Sequence, residues 1–222
     1  MYFRILFDET SGAVSYLLAD LNTRKCVLID ARVTDVPVLT AMLDEHNLRL
    51  CWLLRTHEHG DRNADEARTL NGLAAMRSQR PVDTPPLLPD DEPGMLVFGN
   101  ELLRVIPTPG HTGGCQSFLW RDRLFCGGLL SVDACPFQPR PAVPEALWDS
   151  ATRHVFTLPG ETLLFCGHAT RGRAVSNVLE QRRWHPWFAG ATRDEFLARV
   201  RTPICGATGV RPFNQDLIQN TL

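Results

Sequence analysis

The sequence is notable first for what it lacks. Its 222 residues contain no apolar run approaching the roughly 20 residues that a membrane span needs. Neither sign of charge dominates, with 23 Lys and Arg against 25 Asp and Glu, which argues against nucleic acid or an anionic membrane as a partner. The seven cysteines never form a C-x-x-C pair, and the first acid comes after only seven residues, unlike in a signal peptide. These absences predict a cytoplasmic protein whose cysteines are reduced and mostly serve as small buried hydrophobic residues.

Length and hydrophobic pattern predict the architecture. We expect one domain over residues 1–200 and a tail over 201–222 that packs on it. Strand-like runs and stretches with helical spacing occur in two successive sets, which predicts an α/β fold with two mixed sheets and helices outside them, the αββα four-layer sandwich. The predicted strands are 13–20, 25–31, 48–56, 102–109, 116–122, 123–128 and 162–168. The predicted helices are 35–47, 63–73, 145–158, 174–185 and 192–200, and 80–94 is predicted to be a proline-rich loop.

Histidines in glycine-containing loops are the main chemical signal. "LLRTHEHGDRN" contains His57 and His59, "PTPGHTGG" contains His111, and "FCGHATRG" contains His168. Each stretch follows a predicted strand, and a rigid sheet can aim such side chains at one point. Because imidazole is a common metal ligand, three such loops in one domain predict a metal site. The histidines without this setting are predicted to lie on the surface: His46, His154 and His185.

These motifs resemble those of a known superfamily. "THEHGD" is similar to the T-H-x-H-x-D-H motif of the metallo-β-lactamase superfamily, and "PTPGHTGG" and "FCGH" are similar to its later histidine motifs. More narrowly, "MYFRILFDETSGAVSYLLAD", "DRLFCGG" and "GHATRGRAVSNVLEQRRWHP" resemble the persulfide dioxygenases, relatives of glyoxalase II. The resemblance implies an αββα fold with the site at one edge of the sheets. It also implies a reaction in which one non-haem iron(II) and O₂ convert glutathione persulfide to sulfite and glutathione.

The resemblance implies a ligand set that this chain keeps only in part. The iron ligands of the family correspond to His57, His111 and an aspartate that falls on Gly128. Positions that hold metal in the dinuclear relatives are also kept: His59, Asp61 and His168. Gly128 removes one donor and one negative charge from a 2-His-1-carboxylate set, and Gly128→Asp is expected to restore them. Two nearby residues are candidate replacements: Asp133 and Cys126.

Further departures concern the second ion and the substrate. Arg62 stands where the family motif ends in histidine, and its permanent charge is predicted to exclude a second ion and to allow pairing with Asp61. Thr170 and Ala169 replace the tyrosine and aspartate of the family's glutathione-holding motif. "SVDACPFQPRP" replaces a stretch rich in glycine and arginine. We therefore expect poor turnover of glutathione persulfide.

The favoured function is a divergent persulfide dioxygenase that oxidises a thiol persulfide at a mononuclear iron site. At most one ion is predicted, weakly held on His57 and His111 with His59 as third ligand. Zinc is the expected substitute for iron(II). A chain without any metal is the remaining alternative. One alternative is a non-catalytic descendant acting as a binding module. Another is a glyoxalase II-like thioester hydrolase, although that chemistry needs the second metal site. The predicted partner is a small-molecule thiol or persulfide, without nucleic acid or membrane, and a homodimer is one possible assembly.

Overall fold

The computed structural model describes residues 1–59, 94–170 and 173–202. Several predictions fall outside these ranges and stay predictions: the helix at 63–73, the loop over 80–93, Asp61, Arg62, Cys205 and the tail from 203 onwards.

The described ranges contain ten strands and four α-helices. The strands are β1 (Tyr2–Phe7), β2 (Val14–Asp20), β3 (Lys25–Ile29), β4 (Arg49–Leu54), β5 (Gly94–Phe98), β6 (Glu101–Pro107), β7 (Gln116–Trp120), β8 (Arg123–Gly127), β9 (Leu163–Thr170) and β10 (Arg173–Asn177). The α-helices are α1 (Val36–Glu45), α2 (Pro144–Ser150), α3 (Val178–Trp184) and α4 (Arg193–Arg201). Short 3₁₀ turns lie at Val33–Asp35 and Val132–Ala134, and a π-helical stretch, Ala151–Val155, extends α2.

The strands form two mixed sheets, which confirms the predicted architecture. The first sheet has the order β1-β2-β3-β4, and its one parallel pair is β3 with β4. The second has the order β10-β9-β8-β7-β6-β5, in which only β8 and β9 are parallel. Successive side chains of a strand point to opposite faces. On β2, Leu17 therefore packs on the side of α1, whereas Leu18 packs between the sheets.

Three apolar layers hold the sandwich together. Helix α1 buries Leu39 and Leu43 against the outer face of the first sheet. The layer between the sheets is rich in buried aromatic rings: Tyr16, Phe98, Phe118, Trp120, Phe125 and Phe165. Leu147, Val178 and Phe196 bring α2, α3 and α4 onto the outer face of the second sheet. Each such buried side chain contributes about 1.5–3 kcal/mol, so the sheets form a rigid base for the loops at their edges. Within the described ranges, no helix has the length and apolar character needed to cross a membrane.

The helix predicted over 174–185 begins later than expected. Its first residues belong to β10, which pairs with β9. The Asn177 side chain accepts a hydrogen bond from the Glu180 backbone N–H at 2.8 Å and caps α3. Because an N-cap residue has extended backbone geometry, the helix starts at Val178. By contrast, the helix predicted over 192–200 begins as expected, because Thr192 caps α4 and forms a capping box with Glu195.

Besides β10, two more strands are not apparent from the sequence pattern. β1 leaves Ile5 and Phe7 exposed, so its pattern does not separate a buried from a solvated face. β5 begins at Gly94, inside the predicted loop, and Gly99 and Asn100 form the tight turn that pairs it with β6. A Gly-Asn pair between apolar runs is a hairpin signal, and it was the feature that could have revealed this strand.

Candidate metal centre

Strand directions bring the histidine loops to one edge of the sandwich. Both β6 and β8 are antiparallel to β7, and β9 is parallel to β8, so β6, β8 and β9 run the same way. The chain after β6 carries His111, the chain after β8 carries Gly128, and β9 carries His168 near its end. From the first sheet, the chain after β4 brings His57 and His59 to the same edge.

The four imidazoles that the sequence singled out lie together. The His57 ring centroid is 4.9 Å from that of His59, 5.0 Å from that of His111 and 5.2 Å from that of His168. His57, His59 and His111 each offer a ligand atom, and these three atoms all lie within 4.8 Å of one another. His168 is farther from His59, at 6.4 Å between centroids. The geometry therefore groups His57, His59 and His111 most closely. His168 lies next to His57 but farther from His59.

His168 does not sit in a loop after its strand, so the predicted loop position is wrong, although the strand predicted over 162–168 does contain this residue. It lies inside β9, which continues to Thr170, and it forms an isolated bridge with Ala13. The extra pairing arises because the turn before β2 reaches across to β9: the Ala169 N–H donates to the Gly12 carbonyl at 2.8 Å. His168 is consequently held by the sheet itself and is buried.

A short hydrogen-bonded relay orients His57. The Thr56 hydroxyl lies 2.6 Å from Oδ2 of Asp30 and 2.8 Å from Nδ1 of His57, and the Thr56 N–H donates to Oδ1 of Asp30 at 2.7 Å. When Asp30 is ionised, its carboxylate accepts from the hydroxyl, which then accepts from Nδ1–H of His57. That arrangement fixes the tautomer with the lone pair on Nε2, as a hydrogen-bonded partner does for a metal-binding imidazole.

His111 is held differently. It is fully buried, its Nδ1 faces Sγ of Cys115 at 3.9 Å, and its Nε2 has no hydrogen-bond partner among the described residues. The same is true of the buried Nδ1 of His168. Buried polar atoms normally have partners, so two nitrogens without one at the same edge are a feature that a bound ion would explain.

Glycines make room for these rings. A Cβ at Gly128 would lie 2.1 Å from Nδ1 of His111, and one at Gly167 would lie 3.0 Å from Cε1 of His57. At Gly127, which has φ +54°, a Cβ would lie 2.3 Å from Oγ1 of Thr56. The place of the missing carboxylate is therefore not empty, because the His111 ring packs against Gly128. Gly128 itself is not in the left-handed region, so a side chain there would suffer from crowding and not from backbone strain.

Neither candidate replacement for the missing carboxylate joins the cluster. In the part of the chain that the structure describes, the one group of three or more metal-ligand side chains within 4.8 Å is the histidine triad. Cys126 is buried in the layer under α2, where its Sγ faces the Phe165 carbonyl at 3.4 Å. The Cys126 prediction is wrong because the alternation of β8 turns its side chain into that core, and Asp133 also lies outside the group.

The stretch after β8 carries a residue that the sequence reasoning missed. Sγ of Cys135 lies 3.1 Å from Nε2 of His59, and the Cys135 side chain is buried. Two residues on, the Phe137 ring packs against His59 with centroids 5.5 Å apart. The departure of this stretch from the family pattern marks it as unusual, but its sequence does not indicate that Cys135 faces the site.

All four imidazoles favour the neutral form. Burial, reinforced by the neighbouring imidazoles, lowers the pKa of His57 to about 2. Burial also lowers the pKa of His111 and of His168 to about 4, and it lowers the pKa of His59. A neutral imidazole has a lone pair to offer, whereas a protonated one has none. Protons therefore do not compete for these nitrogens near neutral pH.

The donor set fits one metal ion. Three imidazole nitrogens on one face leave coordination positions open, which is the arrangement of catalytic sites and not of closed structural ones. Beside them lies an open cleft of about 460 Å³, within the size range of small-molecule sites. The residues that line it lie in the segments after β4, β6 and β8, among them Glu58, His59, Thr112, Phe137 and Gln138.

His185 is buried, so its predicted surface position is wrong. Its Nε2 lies 3.3 Å from the Leu130 carbonyl, and its Nδ1 accepts from the Trp187 N–H at 3.2 Å. The rings of Trp187 and Phe188 pack against it, with centroids 5.9 Å and 4.9 Å from that of His185. His46 and His154 are both partly exposed and belong to other parts of the molecule.

Comparison with known proteins agrees with this geometry. No family model matches the chain. The chain is 31% identical over 190 residues to the human protein "Persulfide dioxygenase ETHE1, mitochondrial", covering 82% of this chain and 74% of the relative. It is 34% identical over 163 residues to a mouse "Hydroxyacylglutathione hydrolase-like protein", of which it spans 56%.

Solved structures give the same assignment. The crystal structure of ETHE1 from Myxococcus xanthus superimposes with a TM-score of 0.74 at 32% identity, covering 92% of this chain and 93% of that one. A metallo-β-lactamase from Staphylococcus aureus subsp. aureus COL has the same TM-score, 0.74, at 19% identity and shows the shared fold. The chain therefore belongs to the persulfide dioxygenase and glyoxalase II-like branch of the metallo-β-lactamase superfamily.

Proposed function

We propose that this protein is a divergent persulfide dioxygenase that oxidises a small-molecule thiol persulfide with O₂ at a single non-haem iron site. The observation that carries the proposal is the triad of His57, His59 and His111, whose ligand atoms lie within 4.8 Å of one another. Identity above 30% to proteins named persulfide dioxygenase supports the reaction class.

The triad would hold the ion, with zinc as a substitute. When bound, iron(II) would supply the redox chemistry by which O₂ oxidises the outer sulfur of the persulfide. In balanced form, one persulfide, O₂ and water give the thiol, sulfite and two protons. His168 would stay beside His57 as a buried neutral base within the same cluster.

The chain's own residues have three tasks in this scheme. The relay from Asp30 through Thr56 holds the His57 ring in one orientation. Burial keeps the imidazoles neutral, so they are ready to bind a cation at neutral pH. The cleft beside His59 would receive the thiol, with Phe137 as an apolar wall and Gln138 as a polar one.

The substrate is proposed to be a persulfide other than that of glutathione. Thr170 and Ala169 stand at the positions that correspond to the family's glutathione-holding tyrosine and aspartate. An acidic side chain, Glu58, lies on the described wall of the cleft. The proposed compartment remains the cytoplasm, although the human relative is named a mitochondrial protein.

The test is oxygen uptake after anaerobic reconstitution with iron(II), using persulfides of glutathione, cysteine and other small thiols, with sulfite as the measured product. We expect uptake with at least one persulfide, little with that of glutathione, and loss of uptake in His111→Ala. His154→Ala, which lies away from the cluster, is the matched control and should keep the activity.

Other results would assign a different function. Stoichiometric iron without uptake on any persulfide would favour the binding module. Hydrolysis of thioesters together with two ions per chain would favour the glyoxalase II-like alternative.

A further inference from the structure

Cys135 lies beside the histidine cluster, which no carboxylate joins within the described ranges. Its side chain is 1% exposed, and Sγ is 3.1 Å from Nε2 of His59. It belongs to the stretch after Gly128 in which the sequence departs from the family, so the lost aspartate and the new cysteine lie seven positions apart in one loop.

The loop that carries Cys135 is fixed at its start. The Ser131 hydroxyl donates to the Gly127 carbonyl at 3.1 Å, and a 3₁₀ turn follows at Val132–Ala134. The Cys135 N–H closes that turn on the Val132 carbonyl at 3.0 Å. These contacts return the chain from the end of β8 to the histidine edge.

The loop is fixed after Cys135 as well. The Gln138 side-chain amide donates to the His111 carbonyl, and the Ala142 N–H donates to the same oxygen at 3.1 Å. Cys135 is therefore held between two points that belong to the metal-site loops, and its position is not that of a free surface thiol.

The distance between Sγ and His59 suits two donors of one ion. With metal–nitrogen bonds near 2.0 Å and metal–sulfur bonds near 2.3 Å, neighbouring positions of an octahedral ion place the two donor atoms about 3.0 Å apart. The observed 3.1 Å is close to this value. Cys135 is not part of the group within 4.8 Å, so its binding to the same ion needs His59 and the Cys135 loop to move towards His111.

The charge balance points the same way. The three imidazoles are neutral, and no carboxylate joins them within the described ranges. A divalent cation bound only by neutral nitrogens keeps its full charge, whereas one thiolate offsets half of it. Of the other described thiols near the edge, that of Cys115 accepts hydrogen bonds from Thr112 and faces His111 only at 3.9 Å.

We propose that Cys135 is the anionic fourth donor of this site, in place of the carboxylate lost at Gly128. On binding, its sulfur forms the bond to the ion and the thiol proton passes to solvent. Four protein donors leave further positions on an ion that prefers octahedral geometry, so substrate and O₂ can still reach it. The inference rests on the proposed function only in that both need a metal at the triad.

The test uses cobalt(II) added to chelator-treated, reduced protein, because a thiolate ligand gives a charge-transfer absorption in the near ultraviolet. We expect this band in the wild type and its absence in Cys135→Ser. Loss of a partner that only orients a ligand costs about 10–100-fold in metal affinity, so loss of a direct donor should cost more than about 100-fold. Cys115→Ser is the nearby matched control and Cys51→Ser the remote one; both should keep the band.

Each other outcome overturns the proposal. A band that survives in Cys135→Ser, or one lost only in Cys115→Ser, would assign the thiolate elsewhere. A wild type that binds cobalt without the band would make Cys135 at most an orienting partner of His59. Circular dichroism and melting of the metal-free variants separate misfolding from ligand loss, with Cys135→Ala as a second variant. Since no turnover is measured, failure here is distinct from failure to oxidise persulfides.

Discussion

The two sides of the histidine edge are built on different principles. On the first sheet, His57 is tied through Thr56 to Asp30 by hydrogen bonds of 2.8 Å or less. On the second sheet, His111 has only a sulfur contact at 3.9 Å on one nitrogen and no described partner on the other. Packing against Gly128, and not hydrogen bonding, positions its ring.

This difference bears on what a carboxylate at position 128 would meet. On the side with the relay, Asp30 and His57 both pair with the buried Thr56 hydroxyl. On the other side, the His111 ring fills the space beside Gly128, where the sequence predicts that a carboxylate is missing. Adding a carboxylate there by one substitution must therefore displace an imidazole that is itself a predicted ligand.

The largest expected effect follows from that crowding. In Gly128→Asp, the new Cβ would lie 2.1 Å from Nδ1 and 2.5 Å from Cε1 of His111, so the imidazole must leave its place. The gain of a carboxylate is offset by the loss of a nitrogen, and we expect metal affinity to fall by more than about 100-fold, beyond the usual effect of outer partners. Overpacking should also destabilise the metal-free protein by about 1–3 kcal/mol. Metal titration and urea unfolding measure the two effects.

Gly114→Asp is the matched control, because a Cβ there meets nothing within 4 Å. It lies in the His111 loop and adds the same charge without displacing the ring. If Gly128→Asp instead binds iron(II) more tightly than the wild type, the His111 ring moves freely, and the original expectation of a restored triad is correct after all.

The relay side should show a smaller loss. Thr56→Val keeps the shape but removes the hydroxyl between Asp30 and Nδ1 of His57. Loss of such an orienting partner should weaken metal binding by about 10–100-fold. Leaving buried polar groups unpaired should cost about 1–3 kcal/mol of stability.

Thr56→Ser provides the rescue, since it retains the hydroxyl that both neighbours use. It should bind metal like the wild type when measured by the same titration. Equal affinity in Thr56→Val and Thr56→Ser would mean that packing by Gly127 and Gly167, and not the relay, orients His57.

The sequence predicts the fold and the histidine cluster well because both depend on local pattern. Apolar runs identify β2, β3, β6 and β9, and the resemblance of the histidine motifs to those of the superfamily predicts that His57 and His111 share one edge of the sheets. The shared edge is confirmed by the 5.0 Å between their ring centroids. Their roles as ligands stay predictions.

What the sequence does not predict depends on contacts distant along the chain. Nothing near Gly128 indicates that the His111 ring fills its space, and nothing near Cys135 indicates that it faces His59, 76 positions away. The burial of His185 similarly depends on a carbonyl, that of Leu130, 55 positions earlier. Such long-range packing is determined by how the two sheets and their loops pack together, and not by the local composition.

The smallest effect expected at the metal site itself concerns His185, whose ring contacts the Leu130 carbonyl in the chain after β8. Burial lowers its pKa to about 4, against about 6.5 for an exposed histidine. Its Nδ1 must stay unprotonated to accept from Trp187, so the neutral form is the one that the fold holds. A group with a lowered folded pKa supports stability above its unfolded pKa and withdraws that support as the pH falls. Between pH 6.5 and 4 this single group should cost at most about 3 kcal/mol.

His185→Gln separates this effect from the site histidines, whose pKa values are also lowered and whose stability changes have the same sign. Glutamine stays neutral throughout and retains an amide that can donate to the Leu130 carbonyl. At pH 7 we expect the variant to be less stable than the wild type, because its amide fits the two partners less well. As the pH falls towards 4, the wild type should lose more stability than the variant, so the difference between them should shrink. Urea unfolding of the chelator-treated proteins at several pH values measures it, and parallel curves over this range would mean that His185 takes up its proton in the folded protein as readily as in the unfolded chain.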